Sequence, residues 1–161
     1  MGPVPERKAT FLERRRADLF VGLGLLRRTM TLGVRACVTD GQRVLLVRHT
    51  YVRGWHMPGG GVERRETVWD AVEKEVREET HVELTARPTL FGFYKNARTS
   101  RFDHVALFVE RDWRETAAFE RNFEIAECAF FPLDALPDGT TGSTRARLRE
   151  VTEDLAPADY W

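Results

Sequence analysis

Between Gly54 and Val82 the chain joins an unusual loop to a helix whose inner face carries acid, and this pairing constrains the fold more than any other segment. The loop reads Gly54-Trp55-His56-Met57-Pro58-Gly59-Gly60-Gly61. Its proline locks one dihedral while three glycines open backbone geometries closed to other residues, so it can approach a ligand closely. Thr67 with Asp70 forms a capping box, which predicts a helix running through Glu79 or Thr80. On a helical wheel Val68, Val72 and Val76 make an apolar stripe; Glu79 falls inside it and Glu75 on its edge, with Glu78 one turn further on. An ionised carboxylate turned coreward without a partner costs on the order of several kcal/mol. Seven acidic side chains lie between Glu63 and Glu79 against four basic ones, Arg64, Arg65, Lys74 and Arg77, so local bases do not complete the pairing. A hard divalent cation, Mg²⁺ or Mn²⁺, is the natural counter-charge; a solvated acidic helix face is the competing reading.

The rest of the chain reads as α/β. At 161 residues and 42% hydrophobic it suits one globular domain, spanning 30–161, preceded by a helical extension over 1–29. That extension packs on the domain or on a second subunit, which leaves room for a homodimer. Leu32 to Val38 and Arg43 to His49 are Val/Leu-rich, and Thr39-Asp40-Gly41-Gln42 between them predicts a hairpin of two paired strands. Further strands are expected over Thr89 to Tyr94, His104 to Glu110 and Ala126 to Phe131, and a last helix over Thr144 to Leu155. Strands interspersed with helices of this length imply a mixed sheet between helices.

The spacing of the acidic helix is also specific. Gly60, Glu66, Lys74-Glu75, Val76, Glu78-Glu79, His81 and Val82 stand at the positions of the Nudix box, and Trp55 to Gly60 resembles the segment that enters it. The chain therefore resembles a Nudix hydrolase, a likeness that extends over most of residues 30 to 140, including the segment Phe130 to Pro137. The resemblance implies a Nudix-like α/β/α sandwich with a central mixed β-sheet, and a metal-dependent hydrolase that cleaves the phosphoanhydride of a nucleoside diphosphate linked to another moiety. It implies that Glu75, Glu78 and Glu79 hold Mg²⁺ or Mn²⁺ with the Gly59 carbonyl, that Glu66 supports the site, and that Glu75 or Glu124 is the general base. Two positions depart from the pattern. Lys74 stands where the family has an arginine that orients the neighbouring glutamate, and His81 stands where glycine usually ends the helix in a left-handed conformation.

The substrate, a small nucleotide, is expected to meet Arg35, Arg48 and Arg53, which flank the glycine loop as forks for phosphate oxygens, together with His56. Phe91, Phe93 and Tyr94 are candidates for stacking on a base, with at least one of the three in the core. Ala97 to Ser100 contain neither the proline nor the tyrosine that marks some subfamilies, so the sequence leaves the substrate open. Lys+Arg and Asp+Glu balance at 25 each, which points to neither a nucleic-acid nor a membrane partner. The apolar run Leu19 to Leu26 is far shorter than the roughly 20 residues of a membrane span. Cys37 and Cys128 lack metal-ligand spacing and read as buried thiols, consistent with the cytoplasm.

Overall fold

The computed structural model describes residues 30–161, so the helical extension expected over 1–29 lies outside the described residues. Seven strands and two helices follow in the order β1 (Thr31–Val38), β2 (Arg43–His49), α1 (Val68–Thr80), β3 (Val82–Leu84), β4 (Thr89–Lys95), β5 (Asp103–Glu110), β6 (Trp113–Glu115), β7 (Ile125–Pro132) and α2 (Gly142–Thr152). β1 runs parallel to β5, and β4 pairs antiparallel on the other side of β5, giving a mixed three-stranded sheet. β2 pairs antiparallel with β7, and the short β3 with β6.

Period-two alternation along the strands sorts the core into two faces. Val34, Ala36, Val38, Leu45, Ala106 and Phe108 meet Ala71, Val72 and Val76 of α1. Cys37, Val44, Leu46, Leu107 and Val109 face the other way, with Leu148 of α2, Trp55 and Met57. A sheet apolar on both faces must be covered on both, which produces the expected α/β/α arrangement. Full burial of each such valine is worth about 1.5–3 kcal/mol. Among the described residues no helix is long and apolar enough to cross a membrane.

The hairpin expected between β1 and β2 does not form as a strand pair. Its turn exists: the Asp40 carboxylate accepts from the amides of Gln42 and Arg43, and Gly41 adopts φ +88°. Yet the two strands join different sheets, because the glycine loop fills the gap between them. Along β1, Val34 N–H donates to Gly60 O and Ala36 N–H to Pro58 O, each at 2.9 Å, while β5 takes the opposite edge. Along β2, Val47 and His56 exchange both backbone hydrogen bonds at 2.9 Å, while β7 takes the other edge. Pairing between the two is therefore confined to the turn end, where Thr39 bridges Val44 and Asp40 N–H donates to Arg43 O at 3.3 Å.

Both cysteines are free, as expected; Cys37 is buried and Cys128 partly so, and burial pushes both thiols up to about 12.

Candidate active site

The wedge that separates β1 from β2 also brings the backbone of Gly59 and Gly60 against α1. Gly59 sits at φ +143°, and a Cβ there would lie 2.1 Å from the Val34 carbonyl oxygen. A Cβ on Gly60 would meet the Glu75 carboxylate at 2.5 Å. Only glycine permits this approach. Gly59 N–H then donates to Glu79 Oε2 at 2.8 Å.

Helix α1 delivers the acids as its pattern requires. Thr67 accepts from Asp70 N–H while the Asp70 side chain accepts from Thr67 N–H, so both halves of the capping box are present. His81, at φ 59° and ψ 22°, takes the left-handed conformation after the last turn and donates its N–H to Arg77 O. Glu79 is 4% exposed, Glu75 half-buried and Glu78 exposed, the order the wheel predicts. Burial raises the Glu79 carboxyl to about 7, against the opposing pull of the Gly59 N–H and the Arg35 guanidinium. Burial also raises Glu75, opposed by Lys74 and reinforced by the charges of Glu78 and Glu124.

Lys74 is the hub on the outer side of this cluster. Its Nζ lies 2.8 Å from Glu66 and 3.2 Å from Glu63, and 3.6 Å from Glu75 Oε1. The contact with Glu66 lowers that carboxyl and raises the ammonium. Lys74 thus binds three carboxylates as a point charge where a planar fork would engage one in two-point geometry. Glu66 is also tied by Glu63 N–H at 2.8 Å.

Three residues from outside the helix complete the site. Glu124 precedes β7, and its Oε1 accepts from the Tyr51 hydroxyl at 3.2 Å. His49 ends β2 with its Nε2 3.8 Å from Glu79 Oε1. Burial lowers His49 to about 4, so near neutral pH it is an uncharged imidazole beside Glu79 and not an ion-pair partner. Ligand atoms of His49, Glu79 and Glu124 all lie within 4.8 Å of one another. From the sequence His49 ranks below His56 as a substrate contact, and Tyr51 is not singled out. The alternation of β2 contained the signal for His49, since Leu45 faces α1 and position 49 falls on the same side two steps on.

The expected substrate contacts divide. Arg35 reaches the cluster: its guanidinium donates to the carbonyls of Met57 and Gly59, and its charge is felt by Glu79 and Glu75. The Gly59 carbonyl is therefore engaged by Arg35, and the two assignments made for these groups, phosphate fork and metal ligand, require the guanidinium to leave that oxygen. His56 is half-buried beside the His49 ring, with centroids 5.7 Å apart, and its Nε2 donates to Arg53 O. Arg53 is exposed in the loop. Arg48, on the opposite side of β2 from His49, is paired with Glu127 and lies over Trp55. The structure corrects the place given to Tyr94. It is fully buried, its hydroxyl donates to Glu150 at 2.8 Å and its ring meets Trp161 and Arg147, so it packs the core beneath α2. Phe93 is exposed but stacks on His104, and Phe91 packs against the same core as Tyr94. The exposed aromatics beside the acids are instead Tyr51 and Phe123, the latter lining a cavity of about 650 Å³ with Thr50, Arg121 and Asn122.

The family model described as the NUDIX domain matches residues 29–155, and the chain belongs to the Nudix hydrolase family. Among solved structures, it is similar to a MutT NUDIX hydrolase from Burkholderia pseudomallei, at 27% identity and a TM-score of 0.66, covering 78% of this chain and 100% of that one. It is also similar to an ADP-ribose pyrophosphatase from Streptococcus suis, at 25% identity and a TM-score of 0.58, covering 83% and 96%. A UDP-X diphosphatase shares the fold at 22% identity and a TM-score of 0.59, covering 96% and 88%. No curated protein matches the sequence.

Proposed function

We propose that the protein is a divalent-metal-dependent diphosphohydrolase that splits the phosphoanhydride bond of a nucleoside diphosphate linked to another moiety. The observation that carries this reading is Glu79, a carboxylate 4% exposed and raised to about 7, held by one backbone N–H among further acids. Burial outweighs the Gly59 N–H and the Arg35 charge, so the carboxylate is under-compensated, and hard oxygen donors at this density suit Mg²⁺ or Mn²⁺. Glu75, Glu78 and Glu79 would hold the ion. Bound there, it supplies Lewis-acid neutralisation of the diphosphate and acidifies a water molecule.

The chain's own groups account for the rest. The Gly59-Gly60 backbone allows phosphate to approach without a side chain in the way. Arg35, once released from the Gly59 carbonyl, offers its fork to non-bridging oxygens, where a charge-assisted bond strengthens as charge develops. Glu124 is the carboxylate we assign to take the proton from water, since it is open to solvent and oriented by the Tyr51 hydroxyl. Glu75 is the second candidate for this proton. Lys74 acts through Glu66 and Glu75 as a positioning residue. The ADP-ribose pyrophosphatase among the similar structures supports a nucleoside diphosphate derivative as substrate.

The test is a product screen over nucleoside triphosphates, nucleotide sugars and dinucleotides, with Mg²⁺ or Mn²⁺ and with excess EDTA. We expect a nucleoside monophosphate and a phosphorylated remainder, formed only with the cation. Turnover that persists in EDTA with metal-free protein would overturn the reading.

A further inference from the structure

We propose that His49 is a nitrogen ligand for a divalent transition-metal ion, held jointly with Glu79 and Glu124, so that the site discriminates Mn²⁺, Co²⁺ and Zn²⁺ from Mg²⁺. The inference rests on the reading of the acid cluster as a cation site and specifies its donor set.

Three observations carry it. First, the spacing fits: His49 Nε2 lies 3.8 Å from Glu79 Oε1, and one ligand atom from each of His49, Glu79 and Glu124 lies within 4.8 Å of the others. Donors that each sit about 2.0–2.2 Å from one ion must themselves stand roughly 3–4 Å apart, a range the His49–Glu79 pair already meets and that a small turn of the exposed Glu124 side chain brings within reach. Second, the imidazole has no other employment. The His49 side chain is 6% exposed, its Nδ1 has no hydrogen-bond partner among the described residues, and 3.8 Å is too long for Nε2 to bond Glu79 directly. A buried polar ring without a partner is costly, and a cation between Nε2 and the carboxylates would give a partner to the nitrogen that faces them. Third, the ring is walled in place. Its centroid lies 5.3 Å from Tyr51 and 5.7 Å from His56, and Tyr51 in turn holds Glu124, so His49 and Glu124 are presented as a unit by the loop after β2.

The chemistry follows from donor type. Mg²⁺ prefers oxygen ligands and gains little from imidazole, whereas Mn²⁺, Co²⁺ and Zn²⁺ accept it increasingly well. The all-oxygen set of Glu75, Glu78 and Glu79 would then serve Mg²⁺ without His49, leaving Glu124 as the proton acceptor in the Mg²⁺ form and as a ligand in the transition-metal form.

The experiment uses the full chain. Co²⁺ is titrated by visible absorption and Mg²⁺ by calorimetry, for wild type, His49→Gln and the control His104→Gln, whose ring stacks on Phe93. We expect His49→Gln to weaken Co²⁺ binding by at least about ten-fold and to change the d–d bands, with Mg²⁺ affinity kept within about two-fold and the control like wild type. Equal Co²⁺ affinity and identical spectra in wild type and His49→Gln would overturn the proposal while leaving a Mg²⁺-dependent hydrolase intact. Failure of wild type to bind either ion would sink both readings. Should His49→Gln not fold, the His49 ring nitrogens of wild type are followed by NMR during Zn²⁺ addition; unchanged shifts at His49 refute the ligand role, and a large shift supports it.

Discussion

At Gly60 a single hydrogen atom separates the loop backbone from the Glu75 carboxylate. Gly60→Ala would put a methyl group 2.5 Å from that carboxylate, so Glu75 must move. A displacement on the order of 1 Å at a reacting centre costs about 10²-fold in rate, and we expect that loss with little change in melting temperature. Single-turnover rates beside thermal melts check it; an unchanged rate would show that Glu75 tolerates the shift. Glu79 and His49 make opposed contributions to the pH response of the metal-free protein. The folded value of Glu79, about 7, exceeds its ordinary 4.5, so the stability it contributes is present below pH 4.5 and lost as pH rises to 7. His49 falls from 6.5 to about 4, so its contribution is present above pH 6.5 and lost as pH falls to 4. The opposed slopes nearly cancel between 4.5 and 6.5. Glu79→Gln should expose the rising His49 slope and gain about 2–3 kcal/mol over wild type at pH 8 in chelator. Urea melts at pH 5, 6.5 and 8 decide this; a variant less stable than wild type at pH 8 would mean that Glu79 is a structural ion-pair partner.

Helix α1 was legible almost to the residue because its signals are local. Cap chemistry, the valine stripe and the acids all fall within thirteen residues, and the observed Val68–Thr80 agrees with the predicted span. Thr67→Ala should cost about 1 kcal/mol by removing the capping acceptor. His81→Gly should gain up to about 1 kcal/mol, since φ 59° strains any residue with a Cβ. Chemical melts of the two variants should move in opposite directions, with rates per folded molecule near wild type; a loss of stability in His81→Gly would show that contacts of its ring, such as that with Phe119 at 6.2 Å, outweigh the backbone strain. Other elements were less legible. β3 and β6 have three residues each, too few to establish a period. The β1–β2 hairpin was misjudged because turn residues report the turn and say nothing of which strand edges are already taken.

Across the molecule, residues far apart in the chain are tied by a polar latch. Arg147 donates to Glu150 at 2.6 Å and to Tyr160 O at 2.7 Å, lies over the Tyr94 ring, and faces Trp161, whose N–H donates to Lys95 O. The segment around Asp159 to Trp161 thereby extends the β4 edge and shields it from other pairing. Trp161→Ala should cost about 1–2 kcal/mol, less than a wholly buried tryptophan because the residue is partly exposed. Its turnover and metal affinity should stay at wild-type values, since the latch lies under α2 and the acids lie under α1. Denaturant melts with steady-state kinetics check both; a fall in turnover at full folding would show that the latch is coupled to the site.

By itself the sequence determined the acidic helix, its caps, the glycine loop and the two-faced sheet, and the spacing of the box was enough to recognise the family. Each depends on periodicity or dihedral preference within a few residues. Only the tertiary structure decided that the loop wedges between β1 and β2, that His49 and Tyr51 join Glu79 and Glu124, that Arg35 holds the Gly59 carbonyl, and that Tyr94 belongs to the core. Those outcomes turn on which strand edges pair and which faces are covered, and side chains some 70 residues apart, such as Tyr51 and Glu124, meet only after that pairing is complete.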